Sequence, residues 1–344
     1  MELFLALLVL GVSSVLAVLL TPLAGKLGQR WGLRAEPGGR RKHTAAVPIT
    51  GGVALFLAFF GVAVSLYLFA PLRPEHRLPL KGVLLGLAFV FLCGLADDRF
   101  EFKSGPQFAV QFIAALIAIS TTVFIEQITV PGFGPTNFAE WGWAGRWLVT
   151  YPLTIFWVMG MMNTVNWLDG MDGLAAGVSA IAATLFAIHS FILQQPQIAW
   201  YALALAGACV GFLLFNFHPA RIFLGSSGAM VLGFALATLS ILAPARVATA
   251  LLVMAIPITD TAFRIFDRWR QGRSPLHGDR GHLHFLLLDR GYSHRAIVLG
   301  YWLFCAVFGA LALLISAPIY KLVAMSALMA LVLAMLIFLS RPAK

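Results

Sequence analysis

The chain has 344 residues, of which 60% are hydrophobic and 11% charged, with a formal net charge of +10 and a mean hydropathy of +0.89. That hydropathy excludes an ordinary soluble fold, and the basic excess shows none of the aromatic-interleaved or zinc-finger spacing of a nucleic-acid binder, so no nucleic acid is expected as a partner. Cys93, Cys209 and Cys305 each fall singly within an apolar run, which argues for small packing residues and against a disulfide or metal framework.

A bilayer-spanning helix needs about 20 predominantly apolar residues. In chain order the apolar runs predict about eleven such spans, near residues 3–21, 50–71, 80–96, 106–125, 147–163, 173–193, 198–217, 229–244, 247–266, 296–316 and 320–340. Length alone could suggest two soluble domains. Consecutive spans joined by short loops instead predict an all-α integral membrane protein, one polytopic domain over residues 1–344. The first span is not preceded by a basic stretch, so it does not read as a cleaved signal peptide.

Positive charge follows that span at Lys26, Arg30, Arg34, Arg40, Arg41 and Lys42. Cytoplasmic loops carry an excess of Lys and Arg, which places the N-terminus outside and this loop inside. With eleven spans, the loops after the odd-numbered ones and the C-terminus would be cytoplasmic. Six basic residues fall on the other side, Arg73, Arg77, Lys81, Arg146, Arg246 and Lys321, which leaves 18 of the 24 inside. The segment PGFGPTNFAEWGWAGRW (Pro131–Trp147) then lies outside. Its Gly, Pro and Trp content predicts an interfacial turn or hairpin.

Ionisable residues at membrane depth are costly and usually mark function. Here they collect after odd-numbered spans, on the predicted cytoplasmic face. GLADDRFEF places Asp97 and Asp98 at the end of span 3. NTVNWLDGMDGL places Asn163, Asn166, Asp169 and Asp172 between spans 5 and 6. FNFHPARIFLGSSGAM contributes Asn216, His218 and Arg221 after span 7, and SPLHGDRGHLHFLLLDRG contributes His277, Asp279, Arg280, His282 and His284 after span 9. Taken one at a time, these are a helix cap, an Asp-Gly turn, a Gly/Ser turn and a positive-inside loop. Together on one face they suit a magnesium-bound phosphate, because Mg²⁺ binds one or two carboxylates plus substrate phosphates. Arg and His offset charge on phosphoryl oxygens. The asparagines can pair with sugar or nucleobase amides.

The order and spacing of RRKHTAAVPITGG (Arg40–Gly52), GLADDRFEF (Gly94–Phe102), NTVNWLDGMDGLAAG (Asn163–Gly177) and FNFHPARIFLGSSG (Phe215–Gly228) resemble those of the polyprenyl-phosphate N-acetylhexosamine-1-phosphate transferases. RSPLHGDRGHLHFLLLDRGYSHR (Arg273–Arg295) is similar to the last cytoplasmic loop of the branch that uses UDP-N-acetylglucosamine. The resemblance covers nearly the whole chain. It implies a ten- or eleven-span helical enzyme of the bacterial cytoplasmic membrane, with its active site facing the cytoplasm. The implied reaction moves sugar-1-phosphate from a UDP-N-acetylhexosamine to undecaprenyl phosphate, releases UMP and starts a cell-envelope glycan. Implied partners are those two substrates and the lipid bilayer, and the sequence leaves a homodimer open. The implied cofactor is Mg²⁺, with Mn²⁺ as an alternative.

Carried over by position, Asp97, Asp98, Asp169 and Asp172 would be catalytic. His43 would lie near the lipid phosphate. Asn163, Asn166 and Asn216 would contact the nucleotide sugar, and Arg280, His282 and His284 would grip its sugar or phosphates. The metal would fall to Asp97, Asp98, Asp172 and the family aspartate position, which is Ser226 here. Further departures are Ala35 for a first-loop Asp, Gln107 for a Lys and Phe285 for the second His of a pair. These leave a catalytically weakened relative, binding lipid phosphate or nucleotide sugar without efficient turnover, as an alternative. A transporter fits less well, since transport sites lie near the bilayer midplane.

Overall fold

In a computed structural model of the chain, the described residues are 2–35, 46–130, 134–242, 245–274, 280–315 and 317–340. His43, His277 and Asp279 lie outside them, as does most of the first basic loop. The chain is built from helices α1 (Glu2–Trp31), α2 (Gly51–Phe69), α3 (Pro74–Phe100), α4 (Ser104–Ser120), α5 (Gly142–Gly145), α6 (Tyr151–Leu168), α7 (Leu174–Ile192), α8 (Pro196–Asn216), α9 (Gly225–Ile241), α10 (Ala245–Val253), α11 (Ala255–Arg270), α12 (Leu283–Asp289), α13 (His294–Leu314) and α14 (Pro318–Ser340).

Every apolar run expected to span falls on one of these helices or on the α10–α11 pair. Among the described residues, eight helices are long and apolar enough to cross a membrane, nine if the bent pair is one span. The helices α4 and α9 have 17 residues each, about 25 Å at 1.5 Å per residue, at the short end of the range that crosses a bilayer. The run at 247–266 is not one straight helix: α10 and α11 meet at 77°. Pro257 supplies the reason. It has no N–H, and its ring clashes with the carbonyl four residues back, which belongs to Val253, the last residue of α10.

Two small antiparallel sheets accompany the helices. β1 (Arg34–Ala35) pairs with β2 (Val47–Pro48), with Arg34 opposite Pro48. β3 (Gln127–Val130) pairs with β4 (Gly134–Asn137), with Gln127 opposite Asn137. The latter is the hairpin expected in the Gly/Pro/Trp segment, and its tip, 131–133, lies outside the described residues. A 3₁₀ turn, α5 and a π turn then lead into α6, with Trp141, Trp143 and Trp147 exposed.

The helix α9 runs through the centre, with every residue from Ser227 to Ile241 buried. Small residues allow this. Without hydrophobic drive between helices in lipid, association depends on close van der Waals packing. A Cβ on Gly52 would strike Gly228 of α9, one on Gly86 the Phe234 ring, and one on Gly233 the α6 backbone at Met162. The helix α1 packs on α8 in the same way. Gly207 and Gly211 of α8 lie against Leu10 and Ser14 of α1, and the Ser13 hydroxyl donates to the Ala204 carbonyl at 2.6 Å. The far side of α1 exposes Leu3, Phe4, Leu7 and Leu19, as a lipid-facing surface requires.

Candidate active site

Adjacent helical residues do not face one another, and the Asp97–Asp98 pair divides accordingly. Asp97, buried near the end of α3, turns toward α4. Its Oδ1 accepts the Phe102 N–H at 2.8 Å, and the Gln107 side-chain amide reaches Oδ1 and Oδ2 at 3.2 and 3.1 Å. The residue at the family lysine position is therefore a neutral cover on Asp97. Asp98 turns the other way and caps α9. Its Oδ1 accepts the Ser226 N–H at 2.6 Å, and its Oδ2 accepts the Ser227 N–H at 3.1 Å and the Ser227 hydroxyl at 2.6 Å. A carboxylate at a helix N-terminus is stabilised by the dipole, by up to ~2 kcal/mol in partly buried geometry. Gly225, at φ +75°, makes the approach possible: a Cβ there would collide with the Ile49 carbonyl and with both Asp98 oxygens.

The Asn/Asp segment spans the end of α6 and the start of α7. Asn163 exchanges amide bonds with buried Gln111 of α4, at 2.6 and 3.2 Å, and also donates to the Met159 carbonyl. Asn166 is half-buried on α6, and Asp169 sits at the C-cap of that helix. Asp172 Oδ2 accepts the Ala220 N–H at 3.1 Å and lies 2.9 Å from His218 Nδ1. Asn216, at the end of α8, uses both ends of its amide on backbone. It accepts from Gly173 N at 3.0 Å and donates to the Ile222 carbonyl at 2.9 Å. These bonds tie the Asp172 turn to the loop leading to Ser226.

The last segment closes over the same turn. His282 caps α12, and its Nδ1 lies 3.0 Å from Asp260 Oδ2 of α11, both side chains being buried. Asp260 Oδ1 also accepts the Leu283 N–H at 3.2 Å. His282 Nε2 makes no hydrogen bond among the described residues. The His282 and His284 rings are parallel, 5.8 Å apart, and His282 lies 5.7 Å from Trp167 of α6. His284 abuts Gly170, where a Cβ would meet its Nε2. Arg280 reaches Asp289 at 2.9 Å and stands 4.9 Å over Phe285, so Phe285 serves as a platform for that guanidinium.

Asp97, Asp98, Asn163, Asp172, Asn216, Ser226, His282 and His284 thus lie in a linked set of contacts at one end of the bundle. The carboxylates match magnesium's preference for oxygen in kind, but Asp97 and Asp98 point to different helices and both oxygens of Asp98 cap α9. Among the described residues, the one trio of acidic or histidine ligand atoms within 4.8 Å of one another is Asp172, His218 and His294. Gln111 carries no sequence signal of its own, being a lone polar residue within an apolar helix, and the partners of His294 and Asp260 come from segments distant in the chain.

Residues 80–244 match the model of glycosyl transferase family 4. The chain is 30% identical over 303 residues to a probable undecaprenyl-phosphate N-acetylglucosaminyl 1-phosphate transferase of Bacillus subtilis, covering 86% of this chain and 81% of that one. It is 34% identical over 316 residues to a decaprenyl-phosphate N-acetylglucosaminephosphotransferase of Mycobacterium tuberculosis, covering 83% and 76%. A phospho-N-acetylmuramoyl-pentapeptide-transferase of Moorella thermoacetica is 32% identical over 286 residues, covering 77% and 83%. The chain belongs to glycosyl transferase family 4, among the polyprenyl-phosphate N-acetylhexosamine-1-phosphate transferases.

Proposed function

We propose that this protein transfers N-acetylglucosamine-1-phosphate from UDP-N-acetylglucosamine to undecaprenyl phosphate, releasing UMP and a lipid-linked pyrophosphoryl sugar. The observation that carries this is the convergence of the Asp98, Asp172, Asn216 and His284 segments, from helices far apart in sequence, on one end of the bundle. An oxygen of the lipid phosphate attacks the β-phosphorus of the donor. The bond to the bridging oxygen breaks, and UMP leaves with the electron pair. The attacking phosphate has a second pKa near 6 and is largely ionised at neutral pH, so no side chain need take its proton. What this chain supplies is positioning and charge placement, which dominate phosphoryl transfer.

His282, oriented through Nδ1 by Asp260, directs Nε2 toward a phosphate or sugar oxygen. The half-buried Asn166 and Asp169 face the nucleotide from the turn that His284 closes. The requirement for Mg²⁺, with Mn²⁺ as a substitute, is proposed on the chemistry of the donor pyrophosphate rather than on a ligand set in this chain. The same reading places the site on the cytoplasmic face of the bacterial inner membrane, with the N-terminus outside, the C-terminus inside and eleven crossings. The engagement of both Asp98 oxygens by three donors of α9 favours the second reading, a weakened relative that binds without efficient turnover.

Purified protein supplied with Mg²⁺, UDP-N-acetylglucosamine and undecaprenyl phosphate should release UMP. Absent release with retained nucleotide-sugar binding would select the weakened relative. Cysteine-accessibility labelling that put the 98, 172 and 282 loops on opposite sides would remove both.

A further inference from the structure

His218 and His294 are not used by the proposed transfer. His218 lies in the loop between α8 and α9, and His294 opens α13. Their rings stack with centroids 4.0 Å apart and planes 11° apart, and His218 Nδ1 lies 2.9 Å from Asp172 Oδ2. The Asp172–His218 hydrogen bond needs no third member. Even so, one ligand atom from each of the three residues lies within 4.8 Å of the other two, and all three residues are half-buried rather than sealed.

We infer that Asp172, His218 and His294 form a binding site for a divalent first-row transition ion of the zinc class, held by two imidazole nitrogens and one carboxylate oxygen. The inference rests on the proposed transfer only in placing the ion beside the donor turn that Asp172 ends. Imidazole favours Zn²⁺, Co²⁺ and Ni²⁺, whereas Mg²⁺ prefers an all-oxygen shell. Ligands at about 2.0–2.2 Å from zinc stand roughly 3.4 Å apart in a tetrahedron. Ligation closes the trio to that spacing by turning the stacked His218 and His294 rings until their in-plane lone pairs meet at the ion. The outer contacts support it. The Ala220 N–H holds Asp172 Oδ2, and Arg295 Nε donates to the His218 carbonyl at 3.3 Å. Such contacts orient metal ligands and raise affinity. Three protein ligands leave a fourth position for water or a phosphate oxygen, the pattern of an open zinc site.

The test is a titration of chelator-stripped, full-length protein in detergent with CoCl₂, read as visible d–d absorption. Wild type should take up one equivalent of Co²⁺ that Zn²⁺ displaces and millimolar-range Mg²⁺ does not. His218→Gln and His294→Gln should each bind it at least about tenfold more weakly. No band in wild type, equal binding by both variants, or ready displacement by Mg²⁺ would overturn the site. If a variant loses its helical circular dichroism, zinc-edge X-ray absorption on wild type decides instead: two imidazole nitrogens support the site, and fewer than two overturn it. UMP release from the same wild-type preparation in Mg²⁺ separates the two proposals. A missing cobalt band with normal release ends the metal site alone. A cobalt band without release supports the metal site and counts against turnover.

Discussion

Two corners of the candidate site handle their carboxylates differently. Where α3 meets α9 and α4, Asp97 and Asp98 are met by backbone N–H groups, a serine hydroxyl and the Gln107 amide, all neutral donors from this chain. Where α6 and α8 end and α11 and α12 begin, Asp172 and Asp260 are each paired with an imidazole, His218 and His282. The first corner resembles a joint between helices. The second holds groups that can exchange a proton or ligate an ion. The difference shows that carboxylates adjacent in sequence can meet different partners in space, because consecutive helical residues project in different directions.

The largest effect that could break this contrast is at Asp98. Asp98→Asn removes the charge from the α9 cap and from the reacting end, so UMP release should fall by at least ~100-fold. The melting transition should fall as well, because hydrogen bonds to a charged group contribute about 1.5–3 kcal/mol. Unchanged turnover would reduce Asp98 to a joint and nothing more. In the second corner, Asp260→Asn should leave His282 in place but without its anionic partner. A loss of about 10–100-fold in activity with unchanged helical circular dichroism would mark Asp260 as a positioning residue. A collapse of structure would mark the pair as packing.

Asn216→Ala separates structure from recognition. It strands Gly173 N–H and the Ile222 carbonyl, so stability should drop by about 1–3 kcal/mol in a denaturation curve, while KM for the nucleotide sugar changes little. A raised KM at full stability would instead put Asn216 on the substrate. Ser226→Asp restores the family carboxylate beside Asp98. Like charges at that distance repel by roughly 1–4 kcal/mol at surface-like to aqueous screening, so melting should be lower in chelator and recover with Mg²⁺, with a modest activity gain. No response to Mg²⁺ would mean that serine belongs to a rebuilt site. The smallest effect is expected of Gln107→Lys, which exchanges a neutral cover on Asp97 for a charged one. A change of a few-fold in UMP release is expected, and a large gain would make Gln107 the main attenuating departure.

How much was legible in the residues varies with the range of the interaction. The apolar runs located the helices, and the Gly/Pro/Trp segment announced the β3–β4 hairpin, because both signals are local. The Pro257 ring was equally visible, but the bend also depends on α10 and α11 having different neighbours, so 247–266 read as a single span. Gln111 is one polar residue within the apolar run at 106–125, and its purpose emerges from the Asn163 amide on α6. His294 opens α13, and its neighbours His218 and Asp172 lie 76 and 122 positions earlier in the chain.

The sequence by itself determined that this chain is a helical membrane protein whose charged residues cluster between spans, since hydropathy and motif spacing are properties of short stretches. Tertiary structure alone decided which carboxylate meets a helix end and which meets a histidine. Those pairings depend on angstrom-scale convergence of helices fixed by small-residue packing around α9, and no linear spacing encodes that convergence.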